Sequence, residues 1–495
     1  MICNIRNKTG YDLNSLLKIA NIIICAIGIY LYYKLGSNQY VNEYTIIILC
    51  IFCIQNLLIL SYEKKRTDPF VLILMIIAVI FYMGRVVTLL YDPWSSILTR
   101  YPFTSYDLNY SLIFIMLSNA SIVLGLSTGG GKNLNKQNVL TDAYPANPRN
   151  VMLILVATIV IGFYIRLSSD IIGRFAGYIT GVFIQLHLIL LFTFIYVAVN
   201  FRKTSNRNLV TLLILTVTFI IFATLSGSRS GLLTVGYLLL IGFLSVKGRI
   251  KINKKLILIS PLVILLSFFI FDAATYIRKV DTKRIIGSKK QLTTLKNYSI
   301  GSKDVKILCR SIFDRGGFLD NPADMIRNKE QYHNVINIIY YFKSAIDNGL
   351  TPGFNIFDTP KAANALRYIY GYTIYSSPIH KDIKAAYHSS MLTIYGEYYV
   401  LFGGYSALII FFIFSHIFKK LYLSVKSKDA FLFYLYRALI LYVFWLWINS
   451  FGMDWMVLDL ISIFITVGLF KNFYKMRRRK EPIYKIREVV AKPSY

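Results

Sequence analysis

Acidic side chains are scarce in this 495-residue chain: 24 Asp and Glu stand against 55 Lys and Arg, a formal net charge of +31. Cysteine and histidine are scarcer still, at five each. Cys3, Cys25, Cys50, Cys53 and Cys309 offer no paired framework, and the C-x-x-C of Cys50 and Cys53 falls inside an apolar run, where a zinc knuckle or redox loop has no place. They read as apolar filler. The phosphate-binding G-x-x-x-x-G-K-[ST] loop, the G-x-S-x-G nucleophile elbow, the H-E-x-x-H helix and any metal-ligand spacing of Asp, Cys or His are all missing. ATP-driven transport, hydrolase chemistry and zinc catalysis therefore have no support, and neither a metal nor a cofactor is expected. An internal repeat, the usual mark of a two-halved transporter, is also missing.

What fills the chain is hydrocarbon. Hydrophobic residues make up 56% and aromatics 15%, with a mean hydropathy of +0.53. Apolar runs fall at roughly 13–33, 44–62, 70–91, 109–127, 151–167, 179–199, 208–225, 230–246, 256–272, 398–418, 430–450 and 455–471. These lengths suit a bilayer, so the expected fold is an all-α polytopic membrane protein with about twelve transmembrane helices. Lys64, Lys65 and Arg66, then Arg202, Lys203 and Arg207, and later Lys247 to Lys255, concentrate in alternate connections, whereas the others hold little beyond Lys34, Arg100, Arg174 and Arg229. The positive-inside rule then places both termini in the cytoplasm and accounts for most of the charge without nucleic acid. The first apolar run reads as a retained anchor, and the basic tail 472–495 as lying on the anionic inner leaflet.

One polar stretch interrupts this pattern. Residues 273–387 carry 18 Lys and Arg against 9 Asp and Glu, a net of 18 − 9 = +9, and they hold His333 and His380, with His388 at the exit. The span count puts the stretch outside, between the ninth and tenth spans, and connections this long are uncommon without a function. The expected division is a bundle of nine spans (1–272), a large outer, periplasmic loop (273–397), three further spans (398–471) and the tail. Asn321 to Ile346 has the apolar periodicity of one or two amphipathic helices, with Asn321-Pro322 as the start.

Two short segments offer chemistry. Ser226-Gly227-Ser228-Arg229-Ser230-Gly231 separates two apolar runs at the outer side, and its exposed N–H groups and central guanidinium suit phosphate oxygens. The alternative is a tight hairpin whose Arg229 snorkels to the headgroups. At the loop exit, Tyr387-His388-Ser389-Ser390-Met391-Leu392 leads into Tyr395-Gly396-Glu397, with His388, Leu392 and Tyr395 on one helical face. His388 can accept a proton or bind phosphate, or simply sit at the interface. Glu397 needs a partner or water there. Arg85, Arg166, Arg278, Arg310, Arg315 and Arg327 fall where an outer cavity would collect an anionic ligand, although each alone also fits a solvated charge. Arg437, in the inner half of its span, points only to interhelical pairing.

On these motifs the chain resembles the Wzy-type O-antigen and oligosaccharide repeat-unit polymerases, and more distantly the O-antigen ligases. The resemblance rests on Ser226–Gly231 and on the late outer loop ending in His388-Ser389-Ser390-Met391-Leu392, Tyr395-Gly396-Glu397 and Gly403-Gly404. It covers roughly residues 208–418. Phe451-Gly452-Met453-Asp454, the last outer turn, lacks an arginine that several relatives carry. The resemblance implies a glycosyltransferase of the bacterial inner membrane whose donor and acceptor are oligosaccharides on undecaprenyl pyrophosphate. It implies pyrophosphate binding by Arg229, Arg278, Arg310 and Arg315, and catalytic roles for Arg229, His388 and Glu397. Membrane lipids and a chain-length regulator protein are the implied partners. A ligase acting on core lipid and a lipid-linked oligosaccharide flippase are the alternatives.

Overall fold

The computed structural model describes residues 10–62, 68–91, 103–129, 229–247, 251–253, 319–347, 356–359, 393–427 and 430–449, together with isolated positions from 188 to 220 and from 456 to 468. Among them six apolar helices are long enough to cross a bilayer: α1 (Leu13–Leu35), α2 (Glu43–Tyr62), α3 (Pro69–Tyr91), α4 (Ser105–Thr128), α10 (Ala407–Ser424) and α11 (Ala430–Ile448). The chain is thus a helical, membrane-embedded protein, since about twenty apolar residues span the hydrocarbon. Helix α5 (Arg229–Lys247) and four short helices, α6 (Asp320–Arg327), α7 (Lys329–Val335), α8 (Ile338–Ala345) and α9 (Ile394–Leu401), complete the described helices. The expected spans at 151–167, 179–199, 208–225, 256–272 and 455–471 lie largely or wholly outside the described residues.

Helix starts follow local chemistry. The Asp68 carboxylate accepts from the Phe70 N–H at 3.0 Å, and Pro69, which has no N–H to leave unsatisfied, opens α3. Asp107 reaches back to the Thr104 N–H at 2.8 Å to open α4. A π turn at Ala78–Met83 interrupts α3 just before Arg85.

The apolar run expected as one span at 398–418 is divided. Gly403 (φ 79°) and Gly404 (φ 94°) occupy the left-handed region, which any residue with a Cβ resists, so α9 ends and α10 begins anew at Ala407. All eight residues of α9 are buried. The loop exit is therefore a short helix set into the protein ahead of the span, and hydropathy alone cannot separate the two.

Contacts give the helix directions. Ser121 donates to the Leu408 carbonyl, Gly125 lies against Phe412 and Ser415, and Thr128 meets His416, so α4 and α10 run parallel. Asn42 bonds Ser105 while Gln55 bonds the Met116 carbonyl, so α2 and α4 are also parallel. The strand Gly10–Asp12 (β1) pairs antiparallel with Lys251–Asn253 (β2), joining the start of α1 to the chain just beyond α5. Lys247, at the end of α5, thus lies at the end of the bundle where α1 begins. Arg229, at the start of this 19-residue helix with its rise of about 1.5 Å per residue, opens α5 near the opposite end. The charge pattern leads to the expectation that this opposite end is the outer one.

Several polar side chains buried within the spans bond one another or backbone carbonyls. Asn21 donates to the Cys53 carbonyl at 2.9 Å and accepts from Asn56. Cys25, Cys50 and Cys53 are free thiols within this seam. Such bonds, with small residues, replace the hydrophobic drive that lipid cannot supply. Where α3 starts, Lys419 pairs with Asp68, and Arg437 lies over the ring of Tyr422 on α10 (4.8 Å), the interhelical pairing expected of it, and over that of Phe433 on its own helix (4.2 Å).

Gly125 and Gly129 form a G-x-x-x-G step against α10: a Cβ on Gly125 would stand 2.3 Å from the Phe412 carbonyl oxygen. Gly125→Val is expected to cost roughly 1–3 kcal/mol through forced separation of α4 and α10. Gly236→Ala, where nothing lies within 4 Å, is expected to cost nothing. Thermal unfolding of the two variants in detergent checks this contrast.

Candidate functional site

Two ion pairs fasten α6, in the polar stretch between α5 and α9, to the bundle. Arg85, in the outer part of α3, meets Asp320 at the start of α6 with two bonds, Nε to Oδ1 at 3.1 Å and Nη2 to Oδ2 at 2.8 Å. Both side chains are almost wholly buried. A forked guanidinium matched to both oxygens of a carboxylate is the geometry that best offsets the cost of burying either charge. Arg327, at the other end of α6, pairs with Asp107 at 3.3 Å in a partly exposed setting, and so contributes less. The expectation that Arg85 and Arg327 gather an anionic ligand is replaced by these pairings. The loop brings its own carboxylate to Arg85.

Between the two pairs lies a second buried acid. Asp324 accepts from the Tyr332 hydroxyl and from the Asn328 amide at 2.9 Å. Helix α7 continues over the bundle, with Lys329 5.8 Å from the centre of the Tyr399 ring and His333 Nδ1 3.3 Å from the Val400 carbonyl. The expected one or two amphipathic helices are three short ones, and Pro322 is tolerated because it lies in the first turn of α6.

Beneath α6 sits α9. Gly396 lies against α6 so closely that a Cβ there would be 3.2 Å from the Pro322 Cα and 2.7 Å from the Met325 sulfur. Tyr395 donates to Asn119 Oδ1 at 2.6 Å, and its ring meets Tyr82 edge-on at 5.4 Å. Trp447 donates through Nε1 to the Tyr398 hydroxyl at 2.7 Å, and Tyr399 contacts Tyr110 at 3.3 Å. Glu397 stands in the first turn of α9, fully buried, where the helix N-terminus favours negative charge. Thr393, just before it, holds φ 54° and is buried too.

Of the residues singled out from sequence, Glu397 is thus placed under the docked loop rather than at an open mouth. Arg229 is the first residue of α5. Arg278, Arg310, Arg315 and His388 lie outside the described residues, as does Arg166. Sequence reasoning overlooked Asp320, Asp324, Tyr332 and Asn119. The available signal was Asp320-Asn321-Pro322-Ala323-Asp324, two acids one helical turn apart in a basic loop. Among the described residues no three His, Cys, Asp or Glu side chains converge on a metal position. No protein family, curated protein or solved structure matches the chain.

Burial pushes the Asp324 carboxyl up from 3.8 to about 6, against the opposing pull of the Tyr332 and Asn328 bonds and the Arg327 charge. Because the folded value exceeds the unfolded one, ionisation weakens docking. The contribution of Asp324 to docking is full below about pH 4 and falls by roughly 3 kcal/mol as pH rises through 6. Asp324→Asn still accepts from Asn328 through its oxygen and turns its amide to donate to the Tyr332 oxygen, and it is expected to remove this dependence. Hydrogen exchange over residues 320–335 from pH 4 to 7 checks it, and equal pH dependence in both proteins contradicts it.

Proposed function

We propose that this protein polymerises oligosaccharide repeat units carried on a polyprenyl pyrophosphate, by metal-independent glycosyl transfer at the outer face of the bacterial inner membrane. The support is the resemblance of the Ser226–Gly231 and His388–Glu397 segments, together with one structural observation. Arg229 opens α5 at the bundle end that is capped by the docked helices α6 and α7 and underlain by buried α9.

In this reading the growing chain on its lipid pyrophosphate is the donor and the next lipid-linked repeat is the acceptor. The acceptor hydroxyl oxygen attacks the donor's anomeric carbon, a new glycosidic bond forms, and the bond to pyrophosphate breaks with its electron pair leaving on the phosphate oxygen. Arg229, assisted by Arg278, Arg310 and Arg315, neutralises that departing charge in a low-dielectric setting. His388 takes the hydroxyl proton, and Glu397, buried at the base of the loop exit, orients it. Two polyprenyl tails lie along the spans.

Purified protein in liposomes, supplied with the organism's own polyprenyl-pyrophosphate repeat unit, is expected to yield a ladder of products on lipid carrier. Arg229→Ala and His388→Ala are each expected to lower polymerisation by at least about a hundredfold, as loss of an electrostatic or proton-transfer group does, with folding intact. Transfer only onto core lipid indicates a ligase. Movement of the intact repeat unit across the bilayer without a ladder indicates a flippase.

A further inference from the structure

The described part of the loop carries an apolar surface that the protein does not cover. On α8, Tyr341 and Ser344 face inward and are buried, whereas Ile338, Ile339 and Phe342 are exposed, each above 60%. Alongside, the Asp347 carboxylate accepts from the N–H groups of Phe357 (3.0 Å) and Thr359 (2.8 Å), which fixes a turn bearing exposed Ile356 and Phe357. Lys343 lies 5.8 Å from the centre of the Phe357 ring and completes a patch with a cationic edge.

The height of this patch can be read from the bundle. Tyr33, Tyr44, Tyr91 and Tyr106 are all exposed, and they lie at the end of α1, the start of α2, the end of α3 and the start of α4, all at one end of the bundle. An exposed tyrosine ring at each of four span ends marks the headgroup level. Asp107, next to Tyr106, pairs with Arg327, so α6 ends at that level. Helix α7 is seven residues, about 10 Å long, and His333 in its last turn still touches Val400 of α9. Helix α8 begins three residues later. Its apolar face therefore stands one short helix away from the tyrosine level that Arg327 and Asp107 mark.

We infer that the Ile338–Phe342 face of α8 and the Ile356-Phe357 turn insert into the headgroup region of the adjacent leaflet, making the loop an interfacial membrane anchor as well as a cap. An amphipathic helix with bulky apolar residues on one side and lysine beside them suits that position. Anchoring there limits how far the loop can lift, and so keeps its polar face over the bundle end.

The test places tryptophan at the patch, one site at a time, as Ile338→Trp and Phe342→Trp, in phosphatidylethanolamine and phosphatidylglycerol vesicles. The emission added over wild type is expected to be quenched several-fold more by lipids brominated high on the acyl chain than by aqueous acrylamide. Quenching by acrylamide alone would show a face open to water and overturn the inference. Quenching by neither would show a face covered by protein, such as a second copy of this chain, and overturn it equally.

Discussion

A buried guanidinium must be answered by a buried carboxylate, and here the two lie 235 residues apart in sequence. Arg85 on the third span and Asp320 in the outer loop are each costly to bury alone, since an uncompensated interior charge is destabilising by several kcal/mol. Together they fix where α6 lies. The position of α6 then sets the rest of the cap: Arg327 falls beside Asp107, Asp324 is enclosed with Tyr332 and Asn328, and α6 rests on Gly396 of α9. The loop is held to the bundle by polar contacts, whereas the spans below are held by close backbone approach and carbonyl bonding. That division follows from the two solvents the chain meets.

The two ends of the bundle use charge differently. At the end where α3 starts, Lys419 and Asp68 join α10 to α3, a link between spans. At the opposite end the pairs join spans to loop. Aromatic rings carry contacts from one level to the other: Tyr110 meets Tyr399, Tyr395 meets Tyr82 and Phe411, and Phe411 reaches Trp447. Glu397 sits within this aromatic layer rather than in water. The docked loop thus lies over the acid proposed to orient His388.

Hydropathy made the first three spans legible to within two residues, because long apolar stretches flanked by Asp, Pro or Asn leave little choice of boundary, whereas the fourth helix begins at Ser105, four residues ahead of its apolar run, where polar residues fill its first turn. The same criterion merged α9 with α10, since Tyr, Val and Leu read alike in a buried extramembrane helix and in a span, and only the φ requirement of Gly403 and Gly404 separates them. Arg85 and Asp320 were legible as charges but not as partners. Their pairing is a tertiary fact with no local periodicity to announce it. Net charge also misled: in a loop of +9 the acids attract less notice than the arginines, although Asp320 does the docking and Asp324 ties α6 to α7. The apolar face of α8 was visible as periodicity in Asn321 to Ile346, but which side turned outward depended on how α6 and α7 attach.

The most direct test of the central constraint is a double-mutant cycle at the latch, comparing Arg85→Met, Asp320→Leu and the double variant by thermal unfolding and by hydrogen exchange across α6 and α7. Each single change leaves one buried charge unanswered and is predicted to cost about 3–5 kcal/mol and to open the loop. The double variant, with neither charge, is predicted to recover most of that loss. Additive losses, or single variants whose loop exchange matches wild type, would contradict the account.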